Sequence, residues 1–133
     1  MREHARRETG TLLRRMAFQL NRVSRRADAG SVHDLRVSVR RLSRCLRTFA
    51  SLYRGNYWKK IRVELHRLME AAGAVRDRDI ALELLAQAGV RKSAPLMKRI
   101  DADRRRLVRE LSLEIHRLKG ADYSRKWRNR LEL

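Results

Sequence analysis

The stretch His33-Asp34-Leu35-Arg36-Val37-Ser38-Val39-Arg40-Arg41-Leu42-Ser43-Arg44-Cys45-Leu46-Arg47 concentrates the side chains with the clearest chemistry in this sequence. On a helix, where successive residues turn by about 100°, His33, Arg36, Arg40, Arg44 and Arg47 share one narrow arc, with Arg41 at its edge. Leu35, Val39, Leu42, Leu46 and Phe49 lie roughly opposite. The arc is a straight cationic row over about three to four turns. Like charges three or four residues apart weaken an isolated helix by about 0.2–0.5 kcal/mol per pair. A face that met only solvent would normally interleave glutamates, and this row has none. Arginine donates two parallel hydrogen bonds to a phosphate through its planar fork. A linear cationic row therefore suits a linear polyanion.

Ser31-Val32-His33-Asp34 has the form of a capping box, which predicts Ser31 as N-cap and places His33 in the first helical turn. There the unpaired backbone N–H groups and the helix dipole already favour an anion, and an imidazole adds a donor. Lys59, Lys60, Arg62 and Arg67 extend the candidate patch on the next helix. Arg14, Arg15, Arg22, Arg25 and Arg26 on the first predicted helix and Lys98, Arg99, Arg104, Arg105 and Arg109 on the fifth could widen it in the same way, and for any single one of all these residues a solvated charge is the default reading. In Gly73-Ala74-Val75-Arg76-Asp77-Arg78-Asp79-Ile80, the glycine is expected to end one helix and Asp77 to cap another, with the aspartates also able to hold arginines in place.

These side chains need helices to position them, and the punctuation is sparse enough to allow long ones: one proline and six glycines in 133 residues. Apolar spacings of three and four predict a helix over about 3–28 (Leu13, Met16, Leu20, Val23, Ala27) and a second from 31 to about Tyr53. A third is predicted over about 57–73 (Trp58, Ile61, Leu65, Leu68, Ala72). A fourth, about 77–88, would turn Ile80 and Leu84 inward. The fifth opens near Ser93, admits Pro95 in its first turn, and carries Ile100, Leu107, Leu111, Ile115 and Leu118. Tyr123, Trp127 and Leu131 mark a short last helix. No alternating strand pattern persists. The expected fold is all-α: an antiparallel helical bundle of about four to six helices with a basic groove, in a single domain spanning 1–133.

Composition narrows the function. Lys and Arg outnumber Asp and Glu 34 to 15, giving +19 and a pI near 11.6. Such an excess repels itself, and a polyanionic partner relieves it. The single cysteine, Cys45, allows no intrachain disulfide and fits a reducing compartment. No apolar run reaches transmembrane length and no signal segment opens the chain, so no membrane partner and a cytoplasmic location are expected. No catalytic residue, metal site or cofactor is expected: there is no Gly-rich phosphate loop, the cysteine has no histidine partner in sequence, and His4, His33, His66 and His116 are far apart. Most of the few aromatics read as core, so base stacking is not the favoured mode of binding. An RNA- or DNA-binding helical module is nevertheless the main alternative, because electrostatics hardly distinguishes one polyphosphate backbone from another.

His33-Asp34-Leu35-Arg36-Val37 followed by Arg40-Arg41-Leu42, together with Val75-Arg76-Asp77-x-Asp79-Ile80 downstream, resembles the two signatures of the conserved histidine α-helical domain family, CHAD. The resemblance implies a helical fold of two related bundles around a basic channel. It further implies a binding module for inorganic polyphosphate, able to target proteins to polyphosphate granules, and no catalysis. By position it assigns His33, Arg36, Arg40 and Arg41 to the first signature and Arg76 to the second. Arg44 and Arg47 extend the same face. The chain departs from the family in lacking a second His/Arg-bearing helix after residue 80, since His116-Arg117-Leu118 has no arginine row. Arg78 also stands where an apolar residue is usual. Either the chain is a truncated or minimal member, resembling the first half plus the start of the second, or two copies pair as a homodimer.

Overall fold

The computed structural model describes residues 1–133, as five α-helices and no strand: α1 (Arg2–Arg25), α2 (Ala29–Thr48), α3 (Tyr57–Gln87), α4 (Pro95–Gly120) and α5 (Tyr123–Leu131). A 3-10 turn, Ala50–Leu52, follows α2. Helices consecutive in sequence pack side by side, α1 on α2, α2 on α3 and α3 on α4, while α5 touches α1, α3 and α4. Short links make the neighbours antiparallel. The predicted apolar stripes meet in one core, with Leu13, Met16, Leu20, Leu35, Leu42, Leu46, Ile61, Leu65, Leu68, Leu111 and Ile115 all essentially inaccessible. Tyr123, Trp127 and Leu131 bury one face of α5 against them.

Three local expectations are corrected. First, α2 begins at Ala29, with Asp28 as its cap: the Asp28 carboxylate accepts from the Ser31 N–H at 2.8 Å, which holds that carboxyl below its ordinary range. Ser31 is buried inside the first turn, and its hydroxyl donates back to the Arg26 carbonyl at 2.7 Å. Asp34 reaches Arg22 of α1 at 2.7 Å instead of a helix end. The helix also stops at Thr48, short of Tyr53.

Second, α3 runs unbroken from Tyr57 to Gln87. Glycine inside a helix costs roughly 0.5–1 kcal/mol relative to alanine but does not terminate it unless it turns left-handed. Gly73 keeps helical geometry, while Gly55 and Gly89, at φ of 66° and 84°, make the turns that bound the helix. The buried series Leu68, Ala72, Val75, Asp79 runs straight through the expected break, so packing holds the helix together. Asp77 is exposed within it and caps nothing. A Cβ at position 73 would meet only the Arg36 guanidinium, at 3.7–3.9 Å, an ordinary contact. Gly73→Ala is therefore expected to raise stability by about 0.5–1 kcal/mol, read as an upward shift of the thermal midpoint.

Third, Ile80 and Leu84 do not turn into the core but stand 39% and 60% exposed. Phe18, too, is an exposed aromatic and no part of the core.

A small polar cluster ties the α2–α3 connection to α1. Thr9 is buried, and its hydroxyl donates to the Ala5 carbonyl at 2.6 Å. Its oxygen, 2.6 Å from the Tyr53 hydroxyl, must then be the acceptor for Tyr53. Burial raises the Tyr53 phenol well above its usual range and pushes the Tyr123 phenol up to about 12. Groups whose folded pKa is raised contribute stability that is complete below the unfolded value near 10 and is lost as pH climbs toward the folded one. Each tyrosine is expected to remove about 1.4 kcal/mol per pH unit above 10. Thermal melts at rising alkaline pH should show this decline, and Tyr53→Phe should make it shallower.

Candidate polyanion-binding face

Antiparallel packing of α2 on α3 sets the register of the cationic row. Arg62 Nε donates to Ser43 Oγ at 3.2 Å, and Arg36 lies over Gly73, so as α2 advances from 36 to 43 its neighbours on α3 fall from 73 to 62. Between the helices runs a shallow open cleft of about 270 Å³. Arg40, Ser43, Arg44 and Arg47 line it from α2, and Arg62, His66 and Met69 from α3. Val39 and Leu65 form part of its floor. Arg36 continues the row one turn beyond Arg40, while Arg76, three residues past Gly73 on α3, does not line the cleft.

The absence of carboxylates is the defining electrostatic feature of this row. His33, Arg36, Arg40, Arg41, Arg44, Arg47 and Arg76 make no ion pair, nor do Lys59 and Lys60. Elsewhere half of the arginines are paired, among them Arg67 with Glu114, Arg78 with Asp103, Arg104 with Asp79, Arg106 with Asp103 and Glu110, and Arg117 with Glu64 and Glu114. Arg106 and Arg78 together hold the Asp103 carboxyl below its ordinary range. His66 of the cleft lies 3.0 Å from the Glu70 carboxylate, one turn away on α3. Arg36 is half-buried, and its Nε is enclosed with no hydrogen-bond partner. An enclosed donor without a partner costs about 1–3 kcal/mol.

The sequence-predicted residues do not all converge. Arg40, Arg44 and Arg47 share the cleft, and Arg36 adjoins it. Arg41 faces the other side of α2, in a cleft against α1 that also includes Arg14, Arg15 and Phe18. Lys60 lines the space between α3 and α5, beside Glu64 and Trp127, and sits 5.9 Å from the Tyr57 ring. Lys59 is exposed, 5.7 Å from the Trp58 ring. His33 is exposed and lies beyond the first turn of α2, because the helix starts earlier than the capping box suggests. Its position therefore lacks the unpaired backbone donors expected for it. His66 belongs to the cleft although the sequence pattern alone does not single it out. Its spacing of four from Arg62 and three from Met69 is the signal that could have found it.

No helix is long and apolar enough to cross a membrane. The family model of the CHAD domain matches residues 10–133, nearly the whole chain. No curated protein and no solved structure matches the chain.

Proposed function

The chain belongs to the CHAD domain family, and from that premise we propose that it binds inorganic polyphosphate along the α2–α3 face, as a binding module without catalysis. The observation that carries this reading is the row of guanidinium groups without carboxylates, Arg36, Arg40, Arg44 and Arg47, flanked across the cleft by Arg62 and His66. From His33 to Arg47 the row extends about 21 Å at 1.5 Å per residue, long enough to engage several successive phosphates. Each charge-assisted hydrogen bond contributes about 1.5–3 kcal/mol, so a few of them give tight binding. Capture by granules in the cytoplasm follows if the anion is a long chain held at one face.

The competing reading is a general RNA- or DNA-binding surface. No Phe, Tyr or Trp side chain lines the α2–α3 cleft, His66 being its one ring, and stacking on such aromatics supplies much of single-strand affinity. The test is a competition titration at near-physiological salt, with long-chain polyphosphate against single-stranded RNA of matched charge. Preference for polyphosphate supports the proposal, and equal or tighter RNA binding replaces it with the nucleic-acid reading. Binding is expected to weaken steeply as salt rises, because phosphate neutralisation releases counterions.

A further inference from the structure

Arg104 marks one end of the packed bundle: its Nε meets Asp79 Oδ1 of α3 at 2.5 Å and its Nη2 donates to the Ala27 carbonyl between α1 and α2 at 2.6 Å. Beyond that layer, α3 and α4 continue alone. Ile80–Gln87 adds about 12 Å of helix at 1.5 Å per residue, and α4 returns from Pro95. Between Asp79 and Leu107 only Met97 is buried. Yet the projecting hairpin has the side chains of an interior. The buried spacing of α3 continues into Leu82 and Ala86, and that of α4 extends back through Ile100 to Leu96. Leu82, Ala86 and Met97 open on a cleft of about 470 Å³. Leu84 and Leu96 are 60% and 47% exposed, and Ile80 is 39% exposed. Leu82, Ala86 and Met97 form one open apolar lining, and exposed apolar surface of this kind marks an interaction site; Ile80 and Leu84 lie on another side of α3 and take no part in it.

Charge identifies the occupant. Residues 79–105, which hold the whole cleft lining, carry six basic and four acidic side chains, net +2, so +17 of the total +19 resides on the rest of the molecule. Two copies approaching through any other face would bring strongly cationic surfaces together. Through the hairpin tips they meet nearly neutral, apolar surface. Glu83 and Asp101 stand at the cleft beside Lys92 and Lys98, so a two-fold arrangement can oppose unlike charges at its rim. We infer that the chain forms a homodimer through the α3–α4 hairpin tips, two hairpins closing into a four-helix cluster around Leu82, Ala86 and Met97. This does not depend on which polyanion the α2–α3 face binds.

Light scattering and sedimentation of the whole chain at tens of micromolar should give twice the 15.8 kDa chain mass. The dimer should persist in high salt, since its contact is apolar. Leu82→Glu combined with Ala86→Glu should give a monomer with unchanged helical circular dichroism, neither side chain being buried. A second measurement is mild oxidation of Ala86→Cys. The only native cysteine, Cys45, is buried, so a rapid intermolecular disulfide reports tip-to-tip contact. The inference is overturned by a monomeric wild type, by a dimer that survives the double substitution, by association only when a polyanion is added, or by open-ended growth.

Discussion

Replacing Arg36 and Arg40 together with glutamate is expected to lower affinity for long-chain polyphosphate by at least a hundredfold, with helical circular dichroism unchanged. Loss of two charge-assisted hydrogen bonds at about 1.5–3 kcal/mol each removes roughly 3–6 kcal/mol, and each 1.4 kcal/mol is about tenfold. The new carboxylates add repulsion. Arg40 is exposed, Arg36 is half-buried over Gly73 but outside the apolar stripe of α2, and neither arginine has an acidic partner to orphan. Arg36→Gln is the companion variant, because it removes the charge without placing a carboxylate against Gly73. The slope of log affinity against log salt should also become shallower, by about 0.7 for each phosphate that is no longer neutralised. Titration by fluorescence or calorimetry across a salt series reads both quantities.

The informative control keeps the change in net charge and moves it off the face. Arg106 and Arg125 are ion-paired on α4 and α5, with Asp103 and Glu110 and with Asp122. Changing both to glutamate lowers the net charge as much as the first pair does. Surface charges more than about 10 Å from a bound phosphate are largely screened at 0.1 M salt, so this control should weaken binding far less. Equal losses from both pairs would make the binding a property of total charge, and the row on α2 would have no special part in it.

What the sequence could convey divides by range. The stripes of Leu13 through Val23, Leu35 through Leu46 and Leu107 through Leu118 are periodic over several turns, and every helix they predict exists. The cationic row is legible for the same reason, since spacings of three and four fix a face whatever that face meets. Signals that depend on one residue mislead. Ser31 and Asp28 are both competent caps, and the choice falls on Asp28 because Ser31 is needed to tie the Arg26 carbonyl and Asp34 is drawn to Arg22. Gly73 carries a real helix penalty, outweighed by the buried series around it. Ile80 and Leu84 face inward only on a separate helix starting near 77; on the continuous α3 the series Leu68, Ala72, Val75, Asp79 runs on to Leu82 and Ala86, which turns Ile80 and Leu84 outward. Likewise Arg41 and Arg40 are adjacent in sequence yet line clefts on opposite sides of α2.

Arg104→Ala is expected to destabilise the fold by about 3–5 kcal/mol, the largest loss for any single charged side chain here. Breaking a buried ion pair from one side leaves a charge without compensation, which accounts for a penalty of that size. Asp79 is the partner at risk: its side chain is 7% exposed, its Oδ1 accepts from Arg104, and its Oδ2 is enclosed with no partner at all. The same truncation releases the Ala27 carbonyl, the tie between α4 and the α1–α2 link. Exposed pairs such as Arg105 with Asp101 should each contribute at most about 1 kcal/mol, so Arg105→Ala, one residue along α4, is the matched comparison. Denaturant unfolding of both variants should separate them by several kcal/mol. Restoring neutrality with the double change Asp79→Leu, Arg104→Leu should recover much of the loss, because an apolar pair of similar volume is often as stable as a buried ion pair. If the double variant is no better than Arg104→Ala, the cost lies in the broken tie to Ala27 and not in the stranded carboxylate.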